Sequence, residues 1–150
     1  STNGDLFASK VEGDHFTATT NSGNIDLEDI QGNIDVATTN GDLGAQRTSG
    51  DNFTVGTKSG NATASGLAAK TVTASTSNGD LDLELTAVPS ELTVESVNSD
   101  VRIEVPHADY TVSITQQRSE VSVDVPHTAG APNAITISTT NGDISLGWSD

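Results

Sequence analysis

The chain has 150 residues, a formal charge of −15 and neither cysteine nor methionine. That length suits one domain burying about two thirds of its unfolded surface, and the absence of cysteine excludes both a disulfide framework and a thiolate metal site. Six basic residues, nowhere clustered, make nucleic acid and anionic membrane surfaces unsuitable partners, and no run reaches the roughly 18 apolar residues of a membrane span.

The opening residues, "STNGDLFAS", already read as a repeat unit. The natural chain is therefore expected to begin earlier, with 1–150 a single domain excised from it. From Asn21 to Leu43 the repeat is explicit: Gly-Asn-Ile-Asp-Leu at Gly23, Gly-Asn-Ile-Asp-Val at Gly32 and Gly-Asp-Leu at Gly41. Gly-Asp/Asn pairs start at Gly4, Gly13, Gly23, Gly32, Gly41, Gly50 and Gly60, and every second one, continued to Gly79, is 18 or 19 residues from the last. The series passes on as Ser99-Asp100 and Ser119-Glu120, then returns as Gly142-Asp143. A unit of about 19 residues, made of two strands and two corners, is the signature of an all-β solenoid.

Between corners the apolar residues alternate with period two, as half-buried strands require. Phe16/Ala18, Ile25/Leu27, Ile34/Val36 and Phe53/Val55 come first. Leu81/Leu83/Leu85, Val101/Ile103/Val105 and Val121/Val123/Val125 follow. About fifteen strands are predicted in this way, stacked coil upon coil in chain order, with no 3.6-residue stripe for a helix. Small residues at Ala62, Ala64, Val72 and Ala74 predict a thin waist between two walls about 10 Å apart. Asn-Gly dipeptides at Asn3, Asn40, Asn78 and Asn141 predict tight turns. At the ends, Trp148 is expected to cap one side, while Leu6 to Ser9 leaves the other edge bare.

Alternate corners place Asp5, Asn24, Asp42, Asn61, Asp80, Asp100, Glu120 and Asp143 in a file, neighbours about 4.8 Å apart in stacked coils. Oxygen rows containing Asp42 and Asp80 have the chemistry for calcium, which takes six to eight oxygens. Calcium-binding rolls, however, use Gly-Gly-x-Gly-x-Asp, which never occurs here, so turn-making is the expected role and no cofactor is assigned. Val105-Pro106-His107 and Val125-Pro126-His127 recur 20 residues apart, one predicted coil. Two imidazoles at equivalent corners could share zinc or nickel, but two ligands rarely suffice and His15 lies far along the stack; proline ending a strand is the simpler reading. Asp80, Asp82 and Glu84 raise a polysaccharide-cleaving carboxylate pair, yet a glycosidase needs one carboxyl in a pocket that raises its pKa. Asp82 and Glu84 read as solvated, and no aromatic platform stands beside them. No catalytic residue is assigned. Outward threonines (Thr17, Thr54, Thr63, Thr73) are interrupted by Asp26, Asp35 and Asp82, so they read as strand propensity rather than an ice-binding face.

Three segments carry a family resemblance: "TTNGDL" at Thr38, "TSNGDLDLEL" at Thr76 and "ITISTTNGDISLGW" at Ile135. They resemble the bacterial adhesin-like family whose β-repeat domain, of unknown function, is called the toast-rack. The resemblance implies a β-solenoid-like domain on cell-surface, extracellular or envelope-associated proteins, acting in adhesion or envelope-stress sensing. It brings no catalytic residues. The expected function is thus a non-catalytic binding module with an envelope component or protein as partner. The rival is a structural solenoid that associates end to end; a polysaccharide-active enzyme comes third.

Overall fold

The computed structural model describes residues 3–150; Ser1 and Thr2, where the sequence repeat begins, lie outside the described residues. The described residues form twelve strands and no helix, hence none long and apolar enough to cross a membrane. Every strand pair is parallel. In chain order the elements are β1 Leu6–Ser22, β2 Ile25–Asn40, β3 Leu43–Gln46, β4 Ser49–Ser59, β5 Ala62–Asn78 and β6 Leu81–Leu85. They continue as β7 Glu91–Asn98, β8 Val101–Val105, β9 Tyr110–Arg118, β10 Val121–Val123, β11 Asn133–Asn141 and β12 Ile144–Trp148.

The strands line two facing walls, as the solenoid reading requires. One wall stacks β1, β2, β3, β5, β6, β8, β12 and β10; the other stacks the second halves of β1 and β2, then β4, the second half of β5, β7, β11 and β9. The count is twelve rather than about fifteen because β1, β2 and β5 run through both walls without losing their pairing. Their bend holds one left-handed residue, in register from coil to coil: Lys10 (φ 55°), Asp29 (φ 54°), Arg47 (φ 51°) between β3 and β4, and Gly66 (φ 67°). Each shifts the period-two phase by one residue, so that Ile30, Thr48 and Leu67 return to the interior.

The core is two files of inward residues meeting between the walls. Ile25, Leu43, Ala62, Leu81, Val101 and Ile144 succeed one another on one side; Ile34, Phe53, Val72, Leu92 and Ile135 do so on the other. All are at most 2% exposed. The Ala62, Ala64, Val72 and Ala74 waist is equally closed.

Chain order fails in the last third. β12 lies between β8 and β10, and β11 lies between β7 and β9. The corner that leads from the second wall back to the first always advances one rung, at Gly142 and Ser119 as at Gly41. The opposite connection varies: Pro106 to Asp109 climbs a rung, and 124–132 drops back two. Trp148 therefore does not cap the stack; β10 lies beyond it. Trp148 instead stacks on His107 (centroids 4.3 Å apart) and tilts against Tyr110 (6.4 Å), packing against the core. The first wall ends one strand longer than the second, so Val121 and Val123 face inward with no rung opposite and stay 40% and 37% exposed.

Candidate functional site

The residues with ligand chemistry concentrate at the corner that leads back to the first wall, written Thr-x-Asn-Gly-Asp at Thr38, Thr76 and Thr139. Each position has a mechanical task. The threonine points inward and its hydroxyl donates to a corner carbonyl: Thr38 to Gly23 at 3.3 Å, Thr76 to Gly79 at 3.3 Å and Thr139 to Asn141 at 3.4 Å. Buried hydroxyls need such partners, and this inward threonine row was missed by sequence reasoning, although its fixed place three residues before glycine was visible. The asparagine lies outside and bonds its counterparts, Asn141 Nδ2 donating to Asn98 Oδ1 at 2.8 Å and Asn98 Nδ2 to Asn78 Oδ1 at 3.1 Å. The glycine adopts positive φ, 150° at Gly41, where a Cβ would lie 2.2 Å from the Gly23 carbonyl oxygen. Only glycine fits there.

The final residue builds a continuous ladder. One side-chain oxygen of each accepts the backbone N–H of the next: Asp5 from Asn24, Asn24 from Asp42, Asp42 from Asn61, Asn61 from Asp80, all at 2.8–3.0 Å. Asp80 then accepts from Asp100 at 3.3 Å, Asp100 from Asp143 at 2.8 Å and Asp143 from Glu120 at 2.9 Å. The predicted file is real, with Asp143 preceding Glu120 in space because β12 is tucked inside β10. Asp42 and Asp80 thus each use one oxygen to hold a neighbouring corner. The first rungs alternate Asp with Asn, whereas Asp80, Asp100, Asp143 and Glu120 are consecutive acids. These four line a groove of about 640 Å³ across the starts of β6, β8, β12 and β10, with Arg102, Ser122 and Ser145 on its floor.

The histidines do not meet in adjacent coils, because β12 separates their strands. His107 lies on Trp148. His127 Nδ1 accepts the Val112 N–H at 3.1 Å, which places its neutral-ring proton on Nε2. Among the described residues no group of three or more His, Asp or Glu side chains converges to hold a metal ion. Asp82 and Glu84 are both exposed on the outer wall, and Arg102 pairs with Glu104, which raises the guanidinium's pKa further.

Two other charge clusters are local clamps. Arg47 bridges Glu28 and, at 2.7 Å, Asp29; this bond from Arg47 holds the Asp29 carboxyl below its ordinary value. Lys70 meets Asp51 at 2.6 Å, and that bond raises the ammonium pKa. The Tyr110 hydroxyl donates to the Pro106 carbonyl at 2.9 Å, and burial pushes its pKa up to about 12.

No curated protein and no solved structure matches the chain. The family model described as Toastrack DUF4097 matches residues 1–147, nearly its whole length. The all-β solenoid with its spacing of about 19 residues agrees with a toast-rack β-repeat fold, and the chain belongs to the Toastrack family, a domain of unknown function.

Proposed function

We propose that this chain is a non-catalytic binding module of a bacterial cell surface or envelope, working in adhesion or envelope-stress sensing. The supporting observation is the corner ladder: from Asp5 to Asp143 the corner carboxylates and amides are each tied to the N–H of the next coil, with Glu120 ending the row. What is left for recognition is a long, regular, acidic outer surface and the open ends of the stack. Capture experiments from bacterial envelope fractions, together with a glycan array, test this. Reproducible retention of one envelope component supports the module; retention of nothing in both assays removes it.

One observation favours a second reading. Among the described residues β1 pairs with β2 along Leu6 to Ser22 and carries on its outer side one bridge, Asn3 to Ser22, so the Leu6 to Ser9 stretch of that edge is open as the sequence led us to expect, and open parallel edges invite end-to-end stacking. Light scattering separates the two readings: mass that grows with concentration into filaments indicates a structural polymer, and a constant monomer mass indicates the module. A third assay addresses catalysis, where turnover on a polysaccharide panel that falls on Asp82→Asn or Glu84→Gln would restore the enzyme reading.

A further inference from the structure

The C-terminal end of the stack offers a more specific surface than the acidic wall as a whole. β10, Val121–Val123, is the outermost strand of its wall and, among the described residues, pairs on one side only, with β12. The Ile144 N–H donates to the Glu120 carbonyl, and the Asp124 N–H donates to Leu146. Parallel pairing alternates the direction of backbone groups residue by residue. Ser122 therefore turns its N–H and C=O toward β12, while Val121 and Val123 turn theirs to the open side. The same two valines expose 40% and 37% of their surface because the facing wall ends a strand earlier. The strand is thus an unpaired backbone template with uncovered apolar side chains.

Charge decides what can pair with it. Glu120 and Asp124, both exposed, stand directly before and after the three residues, and Asp143 and Asp100 lie behind Glu120 in the ladder. A second copy is a poor occupant: continuing the register through β1 would set Asp5 beside Glu120, acid against acid, in a chain carrying −15. A strand with cationic ends and a β-branched centre matches both the charges and the free backbone groups. We infer that β10 is a docking edge for an extended segment of a partner protein, bearing lysine or arginine on either side of a short apolar or hydroxyl-bearing run, added by backbone pairing. This inference rests on the binding-module reading and assigns that module one recognition surface.

The test uses the whole chain and a capped peptide of sequence Thr-Lys-Val-Thr-Val-Lys-Thr, with glutamate replacing both lysines in a control peptide and spermine as a cation without a strand. Binding is followed by amide NMR. The lysine peptide is expected to shift and protect the Val121 and Val123 amides, the glutamate peptide to leave them unchanged, and spermine to leave their exchange unaltered. Combining Glu120→Gln with Asp124→Asn should weaken the peptide about tenfold, the sum of two exposed ion pairs. Val123→Pro removes an N–H that points to the open side, where proline is tolerated at an edge, and should abolish protection while the β12 amides keep their shifts. Equal binding to Val123→Pro, or equal protection by spermine, would reduce the surface to simple electrostatics and overturn the inference. Concentration-dependent protection of β10 without peptide would make a second copy the occupant and overturn it too. If the peptide fails while an envelope component is still captured, this edge is wrong and the module reading stands.

Discussion

The first four coils and the last three build the same two-walled lattice by different means. From Leu6 to Asn78 the chain climbs one rung per 18 or 19 residues, turns on glycine, bends on a left-handed residue and alternates Asp with Asn along its ladder. From Leu81 onward serine takes two of the three corners, proline-containing connections replace the one-residue bend, the ladder is wholly acidic, and strands interleave out of order. The lattice itself is indifferent to chain order, since any in-register parallel strand with inward aliphatics fills a rung. Order comes from the connection between walls. A one-residue bend has no reach and keeps the chain on its own rung, whereas four residues at Pro106 to Asp109 or nine at 124–132 allow a change of rung.

The comparison breaks most readily at the glycine corner. Gly41→Ala must move a Cβ away from a carbonyl 2.2 Å distant at a φ of 150°, and is expected to cost about 3 kcal/mol or more. Ser99→Ala, at the equivalent C-terminal corner, removes a buried hydroxyl without a hydrogen-bond partner and should stay within about 0.5 kcal/mol of the parent. Urea titrations of the two variants measure the contrast, and equal stabilities would sink the account of corners.

Next in size is an alkaline transition confined to the C-terminal plug. Tyr110 has a folded pKa raised by burial to about 12, above the ordinary value of about 10. Its neutral form is favoured by folding, so the contribution is whole below about pH 10 and disappears as pH rises through the folded pKa, on the order of 2 kcal/mol in all. Thermal melts across that range should fall for the parent and stay flatter for Tyr110→Phe.

Ladder substitutions are smaller. Asp42→Ala leaves the Asn61 N–H to water and should cost about 1 kcal/mol, while Asp42→Asn keeps the acceptor, as Asn24 and Asn61 do, and should be nearly neutral. Asp100→Asn should go the other way, stabilising by about 0.5 kcal/mol in low salt and not at all in high salt, because it interrupts a run of stacked acids. Smallest of all, chelation with EDTA is expected to leave the melting temperature unchanged; a fall would show a bound cation between the carboxylates of β6, β8, β12 and β10.

The first region was almost fully legible. Inward pairs such as Ile25/Leu27 and Ile34/Val36 are period-two patterns that only a buried wall explains, and the glycine spacing counts the coils. The interleaving was not legible, because Asn141-Gly142-Asp143 has the same corner chemistry whichever rung it joins, and Asp100 accepts its N–H as readily as it would that of Glu120. The one available signal was connection length: Pro126, Gly130 and Pro132 mark a stretch too long for a bend. The corner acids were legible in place and in their turn-making task, the histidines in type alone. Asp42 and Asp80 were read correctly as corner acids, while pairing His107 with His127 assumed that a 20-residue interval is one coil, which fails once β12 intervenes.

That insertion gives the molecule two mechanically unlike ends. A load on the amino-terminal strand peels β1 from β2 one hydrogen bond after another, whereas a load on the carboxyl terminus must slide β12 out from between two neighbours and breaks both ladders together. The chain is a zipper at one end and a bolt at the other.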